Sequence, residues 1–282
     1  MARRLATLLH NSRAQLLALP AVLWLVIFFV APVVVVFVIS LMTRAAGGLP
    51  QMPFTLDHYA RSLTTFRPII IRSIVFAALT TLFCVALGYP IAYFIFSRSN
   101  NWMRHLLLFA VVLPFWTNFL VRMYAWRVLL GREGLINTVL LNTGLLTEPL
   151  ALLNTQFAVI LGLVYGYLPF MVLPIYVAME RLDIRLPEAA ADLGAPSFRS
   201  FLEVWLPLTF PGVLAGSVLV FIPVIGAYVT PDLLGGRQGL MIGNLIQSQF
   251  SGTGNLPLGA ALSSVLMLLI AVPALIYARQ EN

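Results

Sequence analysis

The stretch "EAAADLGAPSFRSFLEVWLPLTFPG", residues 188–212, lies in the most acidic part of a chain that is 60% hydrophobic and only 10% charged. Five of the ten acidic residues, Glu180, Asp183, Glu188, Asp192 and Glu203, fall between positions 180 and 203. The local grammar predicts two short helices joined at a turn. Asp183 is placed to cap the first, Pro187 suits a helix start, and Glu188 and Asp192 stand one turn apart. Ala189, Ala190 and Ala191 give that helix a slim face. Gly194 permits the left-handed residue that ends it, and Pro196 prevents easy continuation. A second segment, Phe198 to Leu206, leads to Pro207 and the next apolar run. Two readings fit equally on physical grounds. One is a small amphipathic helix that plugs a groove on another protein; the other is an ordinary solvated loop.

Outward from this window the chain is almost free of charge. Uncharged runs extend over 14–43, 73–97, 105–121, 149–179, 204–231 and 238–278. With a mean hydropathy of +0.95, such runs identify lipid as the main solvent, because about 20 apolar residues cross the hydrocarbon as a helix. The expected architecture is an all-α polytopic membrane protein with six transmembrane helices near 17–42, 72–97, 105–127, 157–179, 209–231 and 257–278. Residues 1–15 read as a basic amphipathic lead on the membrane surface. Residues 16–282 read as one transmembrane domain with its hydrophilic connection at 180–208. The first span is too long for a signal h-region and lacks a small-residue cleavage site after it, so it reads as a retained helix.

The net charge of +7 would suit nucleic acid, but the arginines read instead as topology markers. All 17 basic residues are Arg. Threading six spans puts Arg3, Arg4, Arg13, Arg98, Arg104, Arg181, Arg185, Arg199 and Arg279 on one side. Arg44, Arg61, Arg67, Arg132 and Arg237 fall on the other. The positive-inside rule then places both termini and the acidic window in the cytoplasm. The 44–68 and 131–156 connections read as external, the latter with a short surface helix near Leu135–Leu140 stopped at Gly144. Residues 232–256 suggest a re-entrant or interfacial helix. Every span carries proline (Pro20 and Pro32, Pro90, Pro114, Pro169 and Pro174, Pro223, Pro273). Either these bend helices around a cavity, or they reflect the general tolerance of membrane helices for proline.

Enzymatic chemistry finds no support in the residues. There is no Lys for a Walker A loop, no GxSxG, and His10, His58 and His105 have no metal-ligand spacing. A lone Cys84 allows no internal disulfide. A secondary carrier would place ionisable groups deep in the spans and show an inverted repeat, and neither is present. A non-transporting membrane scaffold is the third class.

The acidic window matches the EAA motif of ABC-importer permeases. Glu188-Ala189-Ala190 is followed after three residues by Gly194, after nine more by Val204, then by Trp205 and Leu206-Pro207; the one departure is Val204 for Ile. The stretches "LPFWTNFLVRMYAW" (113–126), "GLVYGYLPFMVLPIY" (162–176), "VTPDLLGG" (229–236) and "MIGNLIQSQF" (241–250) resemble the spermidine/putrescine type of these permeases. The resemblance implies a MetI-like permease core in the bacterial cytoplasmic membrane. It implies a coupling helix whose Arg185, Glu188, Asp192 and Arg199 pair with a cytoplasmic ATPase. It also implies partners: two ATP-binding subunits, a second related permease and a periplasmic solute-binding protein. ATP and magnesium would sit on the ATPase, leaving this chain without a cofactor.

The implied cargo is a polyamine, an extended polycation suited to aromatic faces and a few carboxylates. Trp116, Tyr124, Trp126, Tyr165, Tyr167 and Tyr228 are the aromatic candidates, against a plain packing or interface-belt role. Asp232 is the acidic candidate, against a helix-capping role, and Asn118, Asn244 and Gln247 are neutral polar ones. Arg122 and Arg127 oppose a cation. Either they reach lipid phosphates or pair with Glu133 or Asp232, or the cargo differs: an opine- or amino-acid-like compound, iron or an anion.

Overall fold

In hydrocarbon no water pairs with the main chain, so each uncharged run satisfies its backbone internally by forming a helix. The computed structural model describes residues 19–251 and 254–280; the basic lead at 1–15 lies outside them. Among the described residues, five helices are long and apolar enough to cross a membrane, or six if one sharply bent pair is a single span. Contacts group the chain into two units, one made from residues 1–65 and 248–265, the other from 66–247 and 266–282.

In the first unit, α1 (Leu19–Ser40) is followed by a hairpin of β1 (Met42–Arg44) and β2 (Pro50–Phe54), then α2 (Asp57–Thr64). The hairpin was not expected in the 44–68 connection. Its strands are antiparallel with a bulge after Met42, and their short length and prolines leave little periodic signal in the sequence. His58 of α2 is 6% exposed and donates from Nε2 to the Met42 carbonyl at 3.1 Å. Burial pushes its pKa below the usual histidine range, consistent with a neutral ring.

The second unit contains α3 (Arg67–Phe96), α4 (Asn101–Trp116, its last turn 3-10), α5 (Phe119–Leu129), α6 (Leu135–Asn142), α7 (Gln156–Glu180), α8 (Arg185–Asp192), α9 (Ser197–Ile225) and α10 (Val229–Leu234). α11 (Ile242–Phe250) and α12 (Leu256–Gln280) close the chain. The core lies among α3, α7 and α9, around Phe76, Cys84, Met171, Ile175, Val213 and Val220. A smaller cluster of Met123, Leu130, Ala158 and Leu234 ties α5 to α7 and α10.

Two spans differ from the sequence expectation. The third is not one rod over 105–127: α4 and α5 meet at 90°. Thr117 has extended backbone there, and Asn118 also leaves the helical region, with ψ at 132°. The Thr117 hydroxyl donates to the Pro114 carbonyl at 2.7 Å, and Asn118 Oδ1 accepts the Leu120 N–H at 2.8 Å. Short polar side chains that bond their own backbone compete with helix, and here two in succession break it.

The fifth span starts at Ser197 rather than 209 and stops at Ile225. The segment Phe198–Leu206 is therefore the first part of the span, not a separate helix. Pro207 does not break it because residues Phe201–Trp205 widen into a π turn, with the Leu206 N–H reaching Phe201 O. The wider turn relieves the clash of a proline ring with the carbonyl four residues back. The same device precedes Pro32, where Val26–Val30 form a π turn.

α9 approaches α7 closely. A Cβ at Gly212 would lie 2.6 Å from the Pro174 carbonyl oxygen, and one at Gly216 would lie 2.7 Å from Met171 Sδ. Helices in lipid associate through such small-residue contacts. Gly216→Val should therefore force α9 away from α7 and cost about 1–3 kcal/mol by overpacking. Thermal unfolding of the purified protein in detergent tests this, and an unchanged midpoint would remove the close contact from the stability of the core.

Candidate functional site

The acidic window folds as its local chemistry dictates. Asp183 Oδ1 accepts the Arg185 N–H at 3.1 Å, which starts α8. Gly194 ends it with φ at +80°, and Pro196 N-caps the start of α9. Arg185, Glu188, Ala189 and Asp192 are exposed, and so are Leu186, Leu193 and Phe198. Leu193 is 88% exposed and Phe198 73%. Arg199 is already held by Glu203 at 2.9 Å, one helical turn on. Exposed charge with exposed large apolar side chains is the composition of a protein-docking surface.

This elbow is seated on the end of α3 by an aromatic clamp that the sequence reading missed. Trp205 stands edge-on to Tyr93 at 5.3 Å and Phe96 at 5.8 Å, and Tyr89 to Phe201 at 5.3 Å. The Tyr89 and Thr209 hydroxyls are 2.9 Å apart. Leu206 and Pro187 line the groove of ≈ 770 Å³ between the elbow and α3. No spacing rule connects positions 89–96 with 201–209, so only folding brings these rings together.

The polar pathway candidates divide into two groups. Asn118 is engaged as the cap of α5, and Asn244 both accepts the Met241 N–H and donates to the Tyr228 carbonyl at 2.7 Å. Both side chains act on the main chain rather than presenting loose polar groups. Asp232 lies exposed in the first turn of α10 and makes no cap bond to its backbone. Gln247 is exposed on α11.

The aromatic candidates spread along the bent span and its neighbours. Trp126 meets Tyr165 edge-on at 5.4 Å, and Trp116 meets Phe109 at 5.7 Å. Trp116, Tyr124 and Tyr228 are half or more exposed. Tyr167 lines a cavity of ≈ 390 Å³ with Phe115, Thr117, Phe119, Phe170 and Arg122. Arg122 is buried and pairs with neither Glu133 nor Asp232, and Arg127 is exposed on the same helix without either acid. The bend at Thr117 swings α5 alongside α7, which carries the guanidinium inward to that cavity.

Residues 85–282 match the family described as the binding-protein-dependent transport system inner membrane component. The chain belongs to that family. It is 43% identical over 260 residues to the spermidine/putrescine transport system permease protein PotB of Haemophilus influenzae, covering 92% of this chain and 91% of that one. PotB of Escherichia coli is 41% identical over 260 residues, covering 92% and 94%. The inner membrane ABC transporter permease protein YdcU of Escherichia coli is 34% identical over 263 residues, covering 84% and 82%.

Among solved structures, the fold is similar to a chain of a bacterial alginate ABC transporter in complex with alginate pentasaccharide-bound periplasmic protein. The TM-score is 0.79 at 15% identity, over 98% of this chain and 96% of that one. A chain of the MetNI methionine ABC transporter gives 0.56 at 16% identity, over 75% and 92%. These likenesses carry the fold alone. The permease is thus a mostly helical, multi-pass inner-membrane transport subunit of an ABC importer with a MetI-like core.

The clamp yields a direct expectation. Trp205→Ala removes two edge-to-face contacts, each worth about 0.5–1.5 kcal/mol, and should loosen the elbow while leaving the α3–α7–α9 core intact. Hydrogen exchange would then quicken in residues 185–205 and stay slow around Met171. Uniform behaviour across both regions would mean that the clamp does not fix the elbow.

Proposed function

We propose that the permease forms half of the membrane pathway of a polyamine importer and is driven through its elbow by a separate ATPase. The observation that carries this reading is the elbow itself. It presents Leu193 and Phe198 to solvent beside Glu188 and Asp192, and it continues without interruption from Ser197 into a membrane helix. A partner that covers Leu193 gains apolar burial, and any displacement it imposes passes along α9. The EAA spacing and the PotB relatives support the identity of that partner as an ATP-hydrolysing subunit.

In this reading two ATPase copies hold ATP and magnesium. A second, related permease completes the pathway, and a periplasmic solute-binding protein delivers cargo. The elbow and both termini face the cytoplasm. The cargo assignment to spermidine or putrescine rests on the named relatives at 41–43% identity. Aromatic faces suit it chemically, because ring quadrupoles attract ammonium groups at small desolvation cost. Trp126, Tyr165 and Tyr228 then offer such faces, with Tyr124 and Trp116 on exposed surface of the bent span.

Two experiments test the reading. Removing residues 188–197, or placing a charge at the exposed Leu193 by Leu193→Glu, should abolish co-purification of the ATPase and polyamine uptake together. Uptake that continues with no ATPase attached would exclude an importer of this class. Asp232→Asn should weaken polyamine-stimulated ATP hydrolysis in the assembled complex by several-fold if that carboxylate guides a cation, since one lost charged contact is worth about 1 kcal/mol or more. An unchanged response would take Asp232 out of the pathway.

A further inference from the structure

Arg122 is only 9% exposed, yet its Nε and Nη1 have no hydrogen-bond partner. No described carboxylate reaches it. Its Cζ lies 5.1 Å from the Phe115 ring centre and 5.7 Å from that of Phe119. The guanidinium lies over both ring faces, a contact that leaves the Nε and Nη1 hydrogens without an acceptor. A guanidinium does not lose its proton in a protein, so burial cannot be relieved by neutralisation. A buried, unpaired charge is strongly unfavourable, all the more at membrane depth. The position is deep: the neighbouring Gly166 is ten residues into α7, about 15 Å along its axis.

The surroundings specify the missing charge. Arg122 sits in the first turns of α5, an 11-residue helix that begins at a break inside the third span. The start of such a half-helix adds positive potential at depth. The cavity beside it has ≈ 390 Å³ and mostly aromatic walls, from Phe115, Phe119, Tyr167 and Phe170, with Thr117 and Gly166 completing them and Arg122 the one charged residue. One cation in apolar walls balances one negative charge. A phosphate dianion would need more donors than these, whereas a carboxylate matches the planar fork of a guanidinium.

We propose that this cavity is a carboxylate-binding site with Arg122 as its receptor. The inference rests on the permease reading only in supplying the two sources of that carboxylate: a solute in the pathway, or an acidic side chain of the adjoining permease.

The test uses the assembled permease–ATPase complex in lipid nanodiscs. Putrescine and ornithine are the probes, because they share one diamine chain and differ by a carboxylate. If a solute supplies the group, ornithine should bind the complex roughly tenfold or more tightly than putrescine. Arg122→Gln should erase the difference and Arg122→Lys should keep part of it. In that case Arg122→Gln should also raise the thermal midpoint of the ligand-free complex, since it removes an unpaired charge; an arginine already paired inside the complex would lower it.

If the neighbouring permease supplies the group, Arg122→Glu should disrupt co-purification of the two permeases. A single Asp→Arg or Glu→Arg change in the neighbour's membrane helices should restore it. The proposal is overturned if ornithine shows no preference dependent on Arg122 and no reversed charge rescues Arg122→Glu. Neither result touches elbow docking, so failure here is distinct from failure of the importer reading.

Discussion

Between Ser197 and Ile225 the main chain stays on a helical path, and the working part of the molecule depends on that continuity. Proline in a helix removes a donor and pushes on the carbonyl of the preceding turn, so Pro207 would ordinarily mark a hinge between elbow and membrane. The π turn at Phe201–Trp205 absorbs it instead. Further along, Gly212 and Gly216 let α9 touch the backbone of α7. The elbow end of α9 is clamped by Trp205 to α3, and its middle is wedged against α7. A load applied at Ser197 therefore meets no soft joint before the core. The left-handed Gly194 is where the chain reverses, at the boundary between α8 and this rigid lever.

The spans were legible because lipid enforces a simple rule: long uncharged runs become helices. The elbow was legible for a different reason. Its caps and stops act within a few residues, and Asp183, Gly194 and Pro196 each take the role that their covalent chemistry favours. What the sequence concealed depended on pairings between distant segments or on competition within a run. The break at Thr117–Asn118 was hidden because both flanks are apolar, so hydropathy cannot separate one bent span from one straight span. The start of α9 at Ser197 is concealed for a similar reason. Arg199 and Glu203 look like loop charges, yet they lie on exposed turns of the span's first helical segment and pair with each other.

The same distinction applies to the candidate site residues. Asn118 and Asn244 read from the sequence as neutral polar contacts for a solute, but a short amide beside a helix start finds backbone donors first. Trp205 carries no signal in the sequence because it occupies the variable position between Val204 and Leu206 of the motif. Its partners lie more than a hundred positions earlier, a distance over which periodicity carries no information. Arg122 was conspicuous as a charge near an apolar run; its burial among Phe115, Phe119 and Phe170 follows only from the bend.

That bend also resolves a conflict in the electrostatics. A polycation is repelled by an uncompensated guanidinium at close range, and in low dielectric the repulsion reaches further than in water. Aromatic walls do not compensate it, because the ring faces next to Arg122 already contact that cation. A carboxylate closing on Arg122 converts the site from net positive to neutral and dipolar. If it belongs to the neighbouring permease, ammonium groups can pass the nearby tyrosines and tryptophans unopposed. If it belongs to the solute, the cavity selects for a carboxylate on an amine chain and discriminates against the bare polyamine. The physical requirement is the same in both cases: the charge on Arg122 is balanced from outside this chain, by a bound solute or by a neighbouring subunit.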